Sequence, residues 1–194
     1  MIGFLKGKLV AKRPPWLTLD VGGVGYELEA PMSTFYHLPE IGSSLTLVTH
    51  MHIREDAHVL YGFSSEPERL LFRSLLKVSN VGPRIALGIL SGMSVAGFHR
   101  CVREKDLVSL TRVPGVGRKT AERLLLEMAD KLPELSGELA ASNGAGGTEA
   151  EAQGALLALG YKSSEISRML KNLDPAKLTT EELIREALRQ AHPG

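Results

Sequence analysis

The chain has 194 residues, 43% of them hydrophobic and 23% charged, with a formal net charge of +1. That length holds one large domain or two to three small ones, and the composition is that of a globular chain rather than a disordered or fibrous one. A single cysteine, Cys101, excludes an internal disulfide framework, no run approaches the roughly 20 apolar residues of a membrane span, and residues 1–8 lack the apolar region of a signal peptide. These features predict a soluble cytoplasmic protein with no membrane association.

Residues 1–64 read as β structure. Leu17, Leu19 and Val21 alternate with Trp16, Thr18 and Asp20, and Gly22-Gly23 then supplies a turn. Tyr26, Leu28 and Ala30 alternate with Glu27 and Glu29, which completes a hairpin. In a second hairpin Leu45, Leu47, Thr49, Met51 and Ile53 share one face, and Val59, Tyr61 and Phe63 continue after a break. Helical signal is weak here except over residues 33–38. Several short strands in about 60 residues predict a small barrel of the oligonucleotide-binding type, an OB-fold.

The break in the second hairpin is Arg54-Glu55-Asp56-Ala57. Two adjacent carboxylates at a loop tip are ordinary in a solvated turn. Metal binding is a weaker reading: His50, His52 and His58 lie close, but the spacing compels no third ligand, so no metal is expected. Beside a nucleic acid the same carboxylates would repel phosphates, keeping strands apart or excluding intact duplex.

Residues 65–132 change to helical periodicity. Ser65 and Glu68 form a capping-box signature, with Pro67 tolerated in the first turn, and Leu71, Leu75 and Val78 follow at helical spacing. Then comes a pattern that occurs twice. Val78-Ser79-Asn80-Val81-Gly82-Pro83-Arg84-Ile85-Ala86 and Val113-Pro114-Gly115-Val116-Gly117-Arg118-Lys119-Thr120-Ala121 align at an offset of 35 residues. Between them, residues 85–90 make a short helix, Ser94 caps another through Val102, and Leu107 and Leu110 lead into the second copy. After it Ala121, Leu124, Leu125 and Met128 line one face of a longer helix, with Lys119 and Arg123 on another and Pro133 closing it.

Each copy is a tight turn between helices, which requires residues that tolerate positive φ. Such a turn aims backbone N–H groups outward beside the start of the next helix, whose first N–H groups are unsatisfied. That favours an anion such as phosphate, and a cation follows each turn, at Arg84 and at Arg118-Lys119. Charge agrees: residues 65–132 carry twelve Lys/Arg against seven Asp/Glu, residues 1–64 five against six, and residues from 148 onward six against seven. Asn80, Val81, Gly82 and Arg84 in the first copy, and Gly115, Val116, Gly117, Arg118, Lys119 and Arg123 in the second, are the expected DNA contacts. The pair reads as two helix–hairpin–helix units gripping a nucleic-acid backbone without regard to base.

Residues 133–147 are small and Gly-rich, a flexible linker with a typical span of about 20 Å. Residues 148–194 form a three-helix candidate. Thr148 with Glu151 and Thr179 with Glu182 are capping boxes, and Gly160-Tyr161 turns into a helix over residues 164–173. Its near-neutral charge favours protein docking over DNA. The chain has no G-x-x-x-x-G-K-[ST] phosphate loop, and Gly115-x-Gly117-x-x-Thr120 lacks both the third glycine and the preceding strand of a dinucleotide site. No nucleophile–base set appears, so the chain is read as no enzyme, with no cofactor.

Met1-Ile2-Gly3, Val21-Gly22-Gly23-Val24-Gly25-Tyr26, Arg54-Glu55-Asp56-Ala57, Leu60-Tyr61-Gly62-Phe63, Val81-Gly82-Pro83, Ile89-Leu90-Ser91-Gly92-Met93, residues 114–124 and Ala158-Leu159-Gly160-Tyr161-Lys162 together resemble the RuvA family of bacterial Holliday-junction-binding proteins. The likeness runs through the whole chain in order. It implies a multidomain α+β architecture: an OB-fold barrel over 1–64, an all-α domain with two helix–hairpin–helix motifs over 65–132, the linker, and a mobile three-helix domain over 148–194. It also implies a homotetramer with fourfold symmetry that holds a four-way junction open and square-planar, two tetramers being able to sandwich it. The resemblance makes Arg54, Glu55 and Asp56 an acidic pin where strands part. It gives the C-terminal domain, with Leu159, Tyr161, Met169 and Leu170 as candidate contacts, the docking of RuvB, a hexameric motor that supplies ATP hydrolysis. Asn80 departs from the glycine the hairpin pattern prefers, and the linker is short.

Two other classes compete with this reading. A structure-specific endonuclease would use Glu55 and Asp56 with Mg²⁺, although such sites draw carboxylates from several elements. A general single-strand-binding barrel would need aromatic platforms, and aromatic residues make up 5% of the chain.

Overall fold

The structure is a computed structural model that describes residues 1–129, 131, 147–171, 173 and 178–191. The expected linker, but for Gly147, and the closing role of Pro133 lie outside the described residues. Two compact units divide at residues 130/131.

In the first unit, strands β1 (Phe4–Arg13), β2 (Trp16–Val21), β3 (Val24–Glu29), β4 (Ser44–Ile53) and β5 (His58–Phe63) close a barrel in the order β1-β2-β3-β5-β4. Neighbours are antiparallel except β3 and β5, joined in parallel through Glu29 and Tyr61. Leu5, Leu9, Leu17, Leu19, Leu28 and Leu47 fill the interior, so the alternation read from Leu17 onward is the inward face. Strand β1 is absent from the sequence reading. Its inward positions are Leu5, Gly7 and Leu9, and the central glycine hides the alternation; a Cβ there would strike the Asp20 carbonyl of the paired strand. The helical signal over 33–38 is α1 (Met32–Phe35).

Helices α2 (Glu66–Leu76), α3 (Pro83–Gly92), α4 (Val95–Glu104), α5 (Leu107–Thr111) and α6 (Arg118–Ala129) follow. Ser94 caps α4 as expected, accepting from the Gly97 N–H at 3.1 Å. The capping box expected at Ser65 does not form: Ser65 stands at the N-cap of α2 with no side-chain cap bond. Glu68 turns elsewhere because α1 brings two hydroxyls beside it. Its buried carboxylate accepts from the Ser33 hydroxyl at 2.5 Å and, more loosely, from that of Thr34 at 3.4 Å. It also accepts from the Ser64 N–H at 3.1 Å and hydroxyl at 2.6 Å. Phe72 of α2 packs its ring 4.9 Å from both Tyr61 and Phe63 of β5. The barrel and helices therefore share a fixed seam, although secondary structure changes character near residue 65.

The second unit holds α7 (Thr148–Ala158), α8 (Ser163–Leu170) and α9 (Thr180–Ala191) around Leu156, Ile166, Met169, Leu170 and Ala187. The expected box at Thr179 and Glu182 forms, with the Thr179 N–H donating to the Glu182 carboxylate at 2.9 Å and the Glu182 N–H to the Thr179 hydroxyl at 3.3 Å. The Thr179 N–H, and then its hydroxyl donating at 3.0 Å, hold the Glu182 carboxyl below the ordinary range. At α7 the N-cap is Gly147 without a side-chain cap, and Glu151 accepts from the Thr180 hydroxyl of α9 at 2.7 Å instead.

Candidate nucleic-acid interface

The two turns repeat bond for bond. In the first, the N–H of Val78 donates to Leu75 O at 3.0 Å, that of Val81 to Val78 O at 3.1 Å, and that of Ala86 to Gly82 O at 3.0 Å. In the second, Val113 donates to Leu110 O at 3.1 Å, Val116 to Val113 O at 3.0 Å, and Ala121 to Gly117 O at 2.9 Å. Val78, Val81, Val113 and Val116 are buried and anchor each turn from beneath. Left-handed backbone falls on Asn80 (φ 64) and Gly115 (φ 86), where a residue without Cβ strain, or asparagine, is needed.

Positive φ is therefore required at Asn80 and Gly115, and not at Gly82 (φ −91) or Gly117. One expectation, contact through Val81 and Val116, changes. Val81 and Val116 turn their side chains and their N–H groups inward, so their part is to shape the turn. What faces solvent is Gly82 and Gly117, both exposed, with nothing within 4 Å of an added Cβ. Neither internal crowding nor φ requires glycine there. The first N–H groups of α3 and α6 stand beside them unsatisfied by helix bonds.

The cations differ. Arg84 and Lys119 are exposed and have no ion pair or hydrogen-bond partner among the described residues. Arg118 pairs with Glu122 at 3.0 Å and Arg123 with Glu127 at 4.0 Å, each one turn along α6. Exposed pairs of this kind contribute about 0.3–0.5 kcal/mol, little enough for a phosphate to displace the carboxylate.

The acidic tip, residues 54–57, is exposed and closed by the Arg54 N–H on Ala57 O at 2.8 Å. Strand register sets the histidines. His50 and His52 lie on one face, opposite Tyr61 and Val59, while His58 pairs with Ile53 and points to the other face. His50 accepts from Arg73 Nε at 3.3 Å, and burial, then Arg73, His52 and Arg69, lower its pKa. Among the described residues no group of three metal-ligating side chains converges.

An open cleft of about 1100 Å³ between the barrel and the first turn brings Arg54 and Asp56 together with Gly82 and Arg84. Glu55 and the second turn do not line it. Trp16, half exposed, and Tyr61, whose hydroxyl burial pushes up to about 12, form its barrel wall. No linear signal announces this cleft, because its walls meet through partners distant in sequence, at the Phe72 seam and where the Met32 N–H donates to the Ser91 hydroxyl at 3.0 Å.

In the second unit, Met169 and Leu170 are core residues, each 7% exposed, and Tyr161 packs against that core. As docking contacts Met169 and Leu170 are thereby corrected: their apolar surface is already covered. Leu159, 60% exposed, keeps an open apolar side chain. No single described helix is long and apolar enough to cross a membrane.

Family models match three stretches: the RuvA N terminal domain over residues 1–62, a SAM-like helix-hairpin-helix tandem over 72–130, and the RuvA C-terminal domain over 148–192. A protein of Nitrosococcus oceani named Holliday junction branch migration complex subunit RuvA is 56% identical, covering 98% of this chain and 99% of that protein. Proteins of the same name from Thioalkalivibrio sulfidiphilus and Pseudomonas paraeruginosa are 54% and 48% identical, each covering 97% of this chain and 98% of the relative. The chain belongs to the RuvA family.

Proposed function

We propose that the chain is a non-catalytic, structure-specific DNA-binding subunit that holds a four-way Holliday junction open and square-planar. It recruits a hexameric, ATP-driven motor of the RuvB type for branch migration in recombination and repair. The observation that carries this reading is the duplicated turn: two open glycines, Gly82 and Gly117, in one hydrogen-bond framework 35 residues apart. Main-chain donors with Arg84, Arg118, Lys119 and Arg123 hold phosphates on a junction arm, so affinity falls with salt and bases go unread. A homotetramer turns these weak contacts into preference for four arms through multivalency, and two tetramers can enclose the junction. Glu55 and Asp56 stand at the centre and repel a continuous duplex. The C-terminal unit docks the cytoplasmic motor, with Leu159 as its open apolar contact.

The rival classes find less support. Glu55 and Asp56 sit side by side on one exposed tip with no third ligand beside them among the described residues, a poor scaffold for a nuclease metal. Tyr61 and Phe63 turn their rings against Phe72 in tilted contact, which leaves Trp16 as the one half-exposed aromatic among the described residues lining the cleft. Titrating the full chain against a labelled four-way junction and a duplex of the same sequence, with Mg²⁺ present and salt matched, tests the reading. Tighter junction binding without strand scission is expected; equal affinities or cut strands would overturn it.

A further inference from the structure

We infer that Lys77 and Arg112, the residues just before the turns, form a second pair of phosphate contacts, so that each hairpin holds the strand with a cation on either side of its glycine. This rests on the reading of the hairpins as phosphate-binding turns.

The argument comes from comparing residues 66–92 with 101–127 at the 35-residue offset. The first copy has cations at Arg69, Arg73, Lys77 and Arg84, opposite Glu104, Val108, Arg112 and Lys119 of the second. Arg103, Lys105, Arg118 and Arg123 of the second copy face Glu68, Leu70, Pro83 and Gly88. Positive charge is thus kept at two positions alone. One is Arg84 and Lys119, already assigned to phosphate; the other is Lys77 and Arg112.

The structure makes that second pair equivalent in detail. Lys77 is the C-cap of α2 (φ −80, ψ −8) and Arg112 the C-cap of α5 (φ −73, ψ −18). Each directly precedes the buried valine that anchors its turn, Val78 or Val113. Both side chains are exposed, and neither has an ion pair or side-chain hydrogen bond among the described residues. Arg112 acts on Asp106 only as the weakest of several influences lowering that carboxyl, which Ser109 holds through two hydrogen bonds.

A rival explanation exists, since a cation at a helix C-terminus also complements the helix dipole. It predicts a loss of thermal stability and no change in salt dependence. The test is junction binding by the full chain over a range of salt, for Lys77→Gln with Arg112→Gln and, as comparator, Arg84→Gln with Lys119→Gln. Each contact removed should flatten the slope of log K against log salt by about 0.9. Lys77→Arg with Arg112→Lys should keep the original slope. If the double variant melts below the assay temperature, the single substitutions carry the test, each giving half the change. An unaltered slope in the Lys77/Arg112 variant beside a flattened comparator overturns the inference alone. Unaltered slopes in both overturn the hairpin reading beneath it.

Discussion

The two hairpins share a backbone and differ in what surrounds it. Their turn bonds agree within 0.1 Å, yet the first uses Asn80 where the second uses Gly115, and Pro83 where the second uses Arg118. The first opens onto the cleft shared with Arg54 and Asp56, and its Arg84 has no carboxylate partner among the described residues. The second carries three cations on α6, two of them paired with Glu122 and Glu127. What is repeated is the main-chain framework that presents Gly82 and Gly117; what varies is the charge laid over it. Such a division fits recognition in which the backbone makes the contact and side chains adjust its strength.

The strongest way to break that equivalence is to close the open glycines. Gly82→Asp and Gly117→Asp should each weaken junction binding roughly 10–100-fold in a gel-shift titration, since hydrogen bonds to a charged group contribute about 1.5–3 kcal/mol. A loss from one and none from the other would mean that only one turn holds DNA. Replacing Glu55 and Asp56 by Gln and Asn should narrow the junction-to-duplex affinity ratio by several-fold at matched salt. An unchanged ratio would remove the tip from specificity.

Smaller effects sharpen the comparison. Gly115→Ala places a Cβ in left-handed backbone and should cost about 1–2 kcal/mol, a fall in melting temperature of a few degrees for a chain of this size. Asn80→Gly should leave stability within about 0.5 kcal/mol of the parent, and a large loss there would show that Asn80 does more than accept its φ of 64. Glu122→Gln frees Arg118 and should tighten binding by less than about 1 kcal/mol. Acid should destabilise the first unit slightly. His50 of β4, beside Phe72 and Arg73, and His99 of α4 have pKa values lowered from 6.5, mainly by burial, so the unfolded chain binds more protons. Their contribution is complete above pH 6.5 and fades as pH falls below it. A melting temperature flat from pH 7.5 to 5.5 in the parent, matching His50→Gln with His99→Gln, would contradict this.

Much of the molecule was legible before any coordinates because its signals are local. Alternation from Leu17 to Val21 and from Leu45 to Met51 marks strands, and the repeat of V-G at 81–82 and 116–117 marks the turns. What escaped depends on partners distant in sequence. Gly7 interrupts the pattern of β1 because the neighbouring strand leaves no room for a side chain. Glu68 answers to Ser33 and Thr34, some 35 residues earlier, rather than to Ser65. Met169 and Leu170 read as candidate docking contacts, and their place in the core shows only once Leu156 of α7 and Ala187 of α9 join them. The turns themselves were located from the repeat, but which glycine serves φ was not, because Gly115 carries the left-handed backbone while Gly82 and Gly117 do not, and the letter is the same.

The most direct test of the central claim is amide hydrogen exchange at single-residue resolution, with and without saturating junction DNA. If main-chain donors hold the phosphates, the N–H groups of Gly82 and Arg84, and of Gly117, Arg118 and Lys119, slow markedly in the complex, while those of Val81 and Val116, already bonded within the turns, change little. Unchanged exchange at both glycines under saturation would contradict the account.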